Sequence, residues 1–135
     1  MKTETNEVCL TDAEAGSRAK NILVVDDNPS VANMILLSLH GLGHINVGIA
    51  RGGEEALIVA ERTRPDLVIL DINMPGMDGI EAAKKLIAIH PCSIIFSTGL
   101  WDKQTLARSR KIAASSYLVK PFSPAQLEAA IQLAD

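Results

Sequence analysis

The chain contains little cysteine, few aromatic residues and no long apolar run. It has two cysteines, Cys9 and Cys92, and aromatic residues make up 3% of its 135 residues. The cysteines show no metal-ligand spacing, so neither a metal site nor a structural disulfide is expected of them. No apolar run approaches the roughly 20 residues that span a bilayer, and the polar start lacks the apolar core of a secretory signal. We therefore expect a cytoplasmic protein without a membrane partner.

An excess of basic residues is also absent. The formal net charge is −3, whereas nucleic-acid-binding domains usually carry a basic surplus, so direct nucleic-acid binding is not expected. A hydrophobic content of 47% with 21% charged residues is typical of a folded globular domain. Residues 1–19 are polar and non-periodic and predict a mobile leader, which leaves residues 20–135 as a single domain.

From residue 20 onward, strand-like and helix-like segments alternate. Apolar runs predict five strands, at 22–25, Ile45–Ala50, 67–70, 93–97 and 117–119. Helical spacing predicts five helices: one that begins at Asn28-Pro29 and is stopped by Gly41 and Gly43, and four at 54–62, 80–90, 103–112 and 124–134. This alternation predicts an α/β fold: one five-stranded parallel, doubly wound sheet with a flavodoxin-like arrangement. The apolar periodicity also places Met34 and His90 on the buried sides of their helices.

Polar side chains follow four of these strands, where each strand ends. Asp26 and Asp27 close the first strand, Asp71 the third, Thr98 the fourth and Lys120 the fifth. In an open α/β sheet the carboxyl edge is where ligands bind. Crowded carboxylates raise one another's pKa unless a cation compensates them, and an all-oxygen site suits Mg²⁺, with Mn²⁺ as a second fit. Helix capping would explain Asp26 and Asp27 alone, but not Asp71 and Lys120 with them.

The loop after the third strand runs Asp71-Ile72-Asn73-Met74-Pro75-Gly76-Met77-Asp78-Gly79. Its two glycines and proline predict a tight turn, and Asp78 is a suitable N-cap for the next helix. This loop resembles the phosphoacceptor loop of response-regulator receiver domains. The resemblance covers residues 20–135, because further blocks agree in order and spacing, namely residues 22–29, 50–57, 65–71 and 117–122.

The resemblance implies a metal-dependent phosphoacceptor site. Asp71 would accept a phosphoryl group on its carboxylate. Asp27 would bind Mg²⁺ directly and Asp26 through water, and Asp71 and the main-chain carbonyl of Asn73 would complete the protein ligands. Phosphoryl transfer depends chiefly on in-line positioning and charge neutralisation, and this donor set would provide both.

The resemblance also implies a conformational switch. The Thr98 hydroxyl and the Lys120 ammonium would each contact a phosphoryl oxygen, and the Lys120–Pro121 peptide bond would be cis. Tyr117 would rotate as Thr98 moves toward the phosphate, and the surface of helix four, strand five and helix five would change with it.

The same resemblance implies a regulatory domain that catalyses only its own phosphorylation and dephosphorylation. The expected donor is a sensor histidine kinase or a histidine phosphotransfer protein. The expected receiver of the signal is a downstream effector protein or a fused output domain, and a homodimer could form through the face of helix four, strand five and helix five.

Three features depart from the usual receiver pattern. Ala113 and Ala114 stand where Gly-Ala is common, Trp101 lies in a loop that is usually solvent-facing and suits a partner contact, and a bulky Leu100 near the phosphate predicts slow hydrolysis.

Three other functions are open to this fold. One is a scaffold receiver that acts without phosphorylation. A second is a small phosphatase of the haloacid-dehalogenase type, which would need an Asp where Asn73 stands. A third is a flavodoxin-like cofactor binder, in which Asp26 and Asp27 would repel the cofactor phosphate.

Overall fold

Strands and helices alternate along the chain in the computed structural model, which describes residues 19–99, 103–112 and 116–134. The strands are β1 (Asn21–Val25), β2 (Ile45–Ala50), β3 (Leu67–Asp71), β4 (Ser93–Thr98) and β5 (Ser116–Val119). The helices are α1 (Pro29–Gly41), α2 (Gly53–Thr63), α3 (Gly79–Ile89), α4 (Lys103–Ser109) and α5 (Pro124–Leu133).

The five strands form one parallel sheet in the order β2-β1-β3-β4-β5. The predicted five-stranded parallel architecture is therefore confirmed. Parallel pairing with a helix in every crossover brings the carboxyl ends of the strands to one edge. The chain order reverses between β1 and β3, so the ends of these two strands border a topological switch point.

Helices cover both faces of the sheet. On one face, α1 and α5 pack on a cluster that contains Ile22, Val24, Leu67, Ile69 and Ile95. On the other face, α2 and α3 pack on Leu23, Val25, Val68, Leu70 and Phe96. Alternate residues of β1, β3 and β4 thus enter opposite clusters, as the pleat of a strand requires. All five residues of β3 are buried.

Side chains cap the starts of three helices. The Asn28 side chain accepts hydrogen bonds from the backbone N–H groups of Ser30 and Val31 at the start of α1. Asp78 caps α3, which confirms the predicted N-cap, and Ser123 forms a capping box at the start of α5. These side chains satisfy backbone donors that have no partner within the helix.

Three predicted details are wrong. The fourth helix ends at Ser109 rather than at residue 112, because the Ser109 hydroxyl donates to the carbonyl of Leu106 and the Ile112 N–H bonds back to Ser109 in a tight turn. Met34 is 37% exposed, since the inward side of α1 is formed by Ala32, Ile35 and Leu39.

His90 lies just past the end of α3 and is half-buried. Its backbone is extended (φ −155°, ψ 121°), the conformation favoured for a residue that precedes a proline. His90 is therefore not on the buried side of a helix, contrary to the prediction.

Several predicted features lie outside the described residues, namely leader residues 1–18, Cys9, Leu100, Trp101, Ala113 and Ala114. Cys92 is a free, half-buried thiol, and burial raises its pKa to about 11. No helix within the described ranges is long and apolar enough to cross a membrane.

Candidate functional site

Three carboxylates meet at the carboxyl edge of β1 and β3. Asp26 and Asp27 directly follow β1, and Asp71 is the last residue of β3. One oxygen from each lies within 4.8 Å of the others. Asp26 and Asp71 are buried, whereas Asp27 is exposed. The sheet therefore brings together the three acids that the sequence analysis singled out, with one of them open to solvent.

Lys120 contacts two of these acids, although it follows the edge strand β5. Its Nζ lies 2.9 Å from Oδ2 of Asp26 and 3.3 Å from Oδ2 of Asp71. Because β4 separates β5 from β3, the side chain crosses the end of β4 to make these contacts. Burial by itself lowers the pKa of Lys120, but contacts with Asp26 and Asp71 outweigh it and leave the pKa above its usual value. The ammonium therefore stays charged across the physiological pH range.

Asp71 is held at both of its oxygens. Oδ1 accepts a hydrogen bond of 3.1 Å from the backbone N–H of Asn73, and Oδ2 pairs with Lys120. Burial raises the pKa of Asp71 to about 6; Lys120 opposes this rise and Asp26 adds to it. At neutral pH the group is mostly a carboxylate, yet it carries the electrostatic cost of a buried charge.

Asp26 has an oxygen whose bonding is incomplete. Its Oδ1 accepts a hydrogen bond of 2.9 Å from the backbone N–H of Asn28. Its Oδ2 is buried and forms the ion pair with Lys120, but accepts no well-aligned hydrogen bond from the described residues. Such an atom marks a place where a further partner is favoured. A hard divalent cation fits this donor set, which is entirely oxygen and carries more negative than positive charge.

A backbone hydrogen bond joins the two ends of the loop from Asp71 to Gly79. The Gly79 N–H donates to the carbonyl of Ile72 at 2.8 Å, and a Cβ at position 79 would overlap the backbone of Asp71 and Ile72. The sequence predicts Gly79 only as a turn residue and gives no sign of this close approach. The constraint fixes the backbone that presents Asp71 to the sheet edge.

An ion pair joins this loop to α4. Nη2 of Arg108 lies 2.8 Å from Oδ2 of Asp78, whose other oxygen caps α3 through the N–H of Glu81. Burial alone raises the pKa of Asp78, but these hydrogen bonds and the arginine charge bring it below its usual value. Nothing in the sequence spacing indicates this pair, since 30 residues separate its partners.

Thr98 ends β4, and Tyr117 is the second residue of the neighbouring strand β5. Thr98 is fully buried, and its hydroxyl donates to Oδ1 of Asn73 at 3.4 Å. The Tyr117 ring is 38% exposed and stacks on Phe96, with ring centroids 5.9 Å apart. The Lys120–Pro121 peptide bond is cis.

Comparison with known proteins places this geometry in a family. Residues 22–132 match the family model of the response regulator receiver domain. The chain is 37% identical over 124 residues to the transcriptional regulatory protein PdtaR of Mycobacterium tuberculosis, and the match covers 92% of this chain and 60% of PdtaR. The chain thus spans about 60% of that relative's length.

Two solved structures share the fold at 30% identity or more. The signal receiver domain of a modulated diguanylate cyclase from Desulfovibrio desulfuricans G20 superposes with a TM-score of 0.82 at 33% identity, covering 87% of this chain and 94% of that one. The chemotaxis protein CheY4 of Vibrio cholerae gives a TM-score of 0.80 at 30% identity, covering 87% of this chain and 100% of that one.

The family model spans most of the chain, and the relatives and the superposed structures agree with it. Receiver domains are regulatory parts of two-component response regulators, which signal through phosphorylation. The chain belongs to the response regulator receiver domain family.

Proposed function

We propose that Asp71 accepts a phosphoryl group from a sensor histidine kinase or a histidine phosphotransfer protein. The observation that carries this proposal is the position of the Asp71 carboxylate, which shares the Lys120 ammonium with Asp26 and lies within 4.8 Å of an oxygen of Asp26 and of Asp27. A cation-assisted site of this kind favours the transfer of a charged phosphoryl group to an anionic nucleophile.

The transfer step uses the carboxylate of Asp71 as nucleophile. One carboxylate oxygen attacks phosphorus, the bond from phosphorus to the donor histidine nitrogen breaks, and the electron pair leaves with that nitrogen. The product is an acyl phosphate. The hydrogen bond from Asn73 to Oδ1 and the ion pair from Lys120 to Oδ2 hold the carboxylate in one orientation before the reaction. This preorganisation is the main contribution that the chain makes to phosphoryl transfer.

Mg²⁺ would be held by Asp26, Asp27, Asp71 and the main-chain carbonyl of Asn73. The Oδ2 of Asp26, which accepts no well-aligned hydrogen bond from the described residues, and the solvent access of Asp27 support this set. When bound, the ion supplies positive charge to the phosphoryl oxygens. Mn²⁺ has the same preference for oxygen ligands and would substitute for it.

Thr98 and Tyr117 would couple phosphorylation to the surface formed by α4, β5 and α5. The Thr98 hydroxyl lies within reach of Asn73 in the phosphoacceptor loop, and Tyr117 is half-exposed on Phe96 on the neighbouring strand. A phosphoryl group that binds one position of Thr98 better than another shifts the equilibrium between two states. Lys120→Ala should still be labelled, while the NMR signals of the Tyr117 and Phe96 rings should no longer change on labelling.

The partners on the output side would meet the β5–α5 edge in the cytoplasm. Tyr117, Val119 and Leu133 are exposed there, beside a cavity of about 340 Å³ between β5 and α5. An effector protein, a fused output domain or a second copy of the chain would bind this edge.

Intact-mass measurement after incubation with acetyl phosphate tests the proposed function. With Mg²⁺ present we expect the gain of one phosphoryl group; with EDTA, or in Asp71→Asn, we expect none. If the chain takes no phosphoryl group from acetyl phosphate or from a phosphorylated histidine phosphotransfer protein, the scaffold function replaces this proposal. If Asp71→Asn is labelled as well as the parent, the assignment of Asp71 is wrong.

A further inference from the structure

Ser97 carries a buried hydroxyl that the site described above does not use. The residue is 1% exposed, and its Oγ has no hydrogen-bond partner among the described residues. Buried hydroxyl groups in folded proteins are nearly always paired, because a lost hydrogen bond in the interior is costly. The unpaired hydroxyl of Ser97, which is paired in register with Asp71, therefore requires an explanation.

The pleat of β4 determines the face on which Ser97 lies. Ile95 packs in the cluster under α1 and α5, whereas Ile94 and Phe96 pack in the opposite cluster. Side chains alternate along a strand, so Ser97 shares the face of Ile95. The same alternation in β3 puts Asp71 on the face of Ile69. Ser97 and Asp71 thus lie on the same side of the sheet.

The two residues are also paired in register. Asp71 pairs with Ser97 across the β3–β4 ladder, and neighbouring strands lie about 4.8 Å apart. On the other side Ser97 pairs with Leu118, two residues before Lys120. The Lys120 side chain crosses the end of β4 to reach Asp71. Ser97 therefore lies between the strands that carry Asp71 and Lys120, on the same face of the sheet as Asp71.

We propose that the Ser97 hydroxyl is a hydrogen-bond donor to the Asp71 carboxyl group in the phosphorylated state, and that it hastens loss of the phosphoryl group. The inference rests on the proposed function of Asp71. Before phosphorylation both oxygens of Asp71 have partners, Asn73 on Oδ1 and Lys120 on Oδ2, which accounts for the unpaired serine. Once Lys120 pairs with the phosphoryl group, the carboxyl group loses that partner and accepts from Ser97.

The effect on the reaction follows from where charge develops. In hydrolysis a water oxygen attacks phosphorus, the bond from phosphorus to the Asp71 oxygen breaks, and its electron pair stays on Asp71 as a carboxylate. Inorganic phosphate leaves, and the proton of the water passes to solvent. Negative charge grows on the Asp71 carboxyl group during this step, so a donor aimed at it stabilises the transition state more than the acyl phosphate.

The lifetime of the phosphorylated chain tests the inference. The protein is labelled with acetyl phosphate and Mg²⁺, freed of donor, and followed by intact mass over time. Ser97→Ala should lengthen the half-life about threefold to tenfold. Ser93→Ala is the matched control, because Ser93 lies on the same strand and face but at the opposite end, where its hydroxyl donates to the carbonyl of Ala134.

An unfolding measurement separates chemistry from packing. Ser97→Ala removes an unpaired hydroxyl and should leave the free energy of unfolding unchanged or raised, whereas Ser93→Ala removes a hydrogen bond and should lower it. A longer phosphoryl lifetime in Ser97→Ala alone supports the inference. An equal lifetime in the parent and Ser97→Ala overturns it while the proposed function of Asp71 stands. If the parent takes no phosphoryl group, both fall.

Discussion

The centre of the sheet and its β5 edge differ sharply in burial. Every residue of β3 is buried, whereas β5 buries one of its four residues, Leu118. The flanking helices repeat this contrast: α3 buries five of its eleven residues, and α4 buries one of its seven, Ser109. Regions with few buried contacts open at lower free energy than a packed core.

This difference assigns separate tasks to the two regions. Asp26 and Asp71 lie where backbone and core packing hold their positions, which suits chemistry that depends on geometry. Tyr117 and Val119 lie where side chains are accessible and contacts are few, which suits a surface that changes or binds partners. Lys120 connects the two, since it follows β5 and contacts acids at the ends of β1 and β3.

The largest expected loss of stability comes from adding a side chain where the centre of the molecule is already tightly packed. Gly79→Ala places a Cβ against the backbone of Asp71 and Ile72, so we expect a loss of about 2–4 kcal/mol in the free energy of unfolding. Urea denaturation measures it. Gly41→Ala is the control, because a Cβ at position 41 has nothing within 4 Å, and its stability should be unchanged or higher. Equal, small effects in both variants would contradict the tight packing of the loop from Asp71 to Gly79.

A smaller effect comes from the buried charge of Asp71. Its pKa is raised from 3.8 to about 6 in the folded chain, so folding disfavours the carboxylate, and the stability contributed by this group falls as pH rises from about 4 to about 6. Asp71→Asn removes the charge and with it this decrease in stability. Without divalent cations at pH 7.5, the variant should be more stable than the parent by about 3 kcal/mol.

The advantage of Asp71→Asn should vanish below about pH 4, where the parent is protonated in both states. Thermal or urea unfolding across this pH range measures the difference. An advantage that is constant with pH would show that charge is not its cause.

The smallest effect is expected at the edge. Arg108→Ala breaks the ion pair with Asp78. Because the two side chains are 46% and 34% exposed, the free energy of unfolding should fall by less than about 1 kcal/mol, and the loss should shrink at high salt. Asp78 keeps its bond to the N–H of Glu81 and continues to cap α3. Lys85→Ala, which breaks an exposed pair within α3, is the control. A loss above about 2 kcal/mol that persists at high salt would mean that α4 is as firmly attached as the central helices.

The sequence predicted the centre better than the edge, and the reason is physical. Apolar runs and strand-end acids are local signals, so the sheet, the meeting of Asp26 with Asp71 and the cap at Asp78 followed from spacing. The end of α4 depends on the Ser109 hydroxyl, which donates to the carbonyl of Leu106. Composition does not indicate that this side chain bonds to the helix backbone. The Arg108–Asp78 pair joins elements far apart in the chain, and only the fold brings them together.

Ser97 lies between these cases. Ser97 is the last residue of the run that predicts the fourth strand, and the spacing gives it no functional role. Its relation to Asp71 required the register of β3 with β4, which comes from the paired backbone rather than from the residues themselves.

Locating the phosphoryl group on the chain tests the central claim most directly. Borohydride reduces an aspartyl phosphate to homoserine, so the chain is labelled with acetyl phosphate and Mg²⁺, reduced, digested and sequenced by mass spectrometry. The account predicts homoserine at position 71 and at no other residue, and none when EDTA replaces Mg²⁺. Homoserine at position 26 or 27, or a labelled chain with unmodified Asp71, would contradict it.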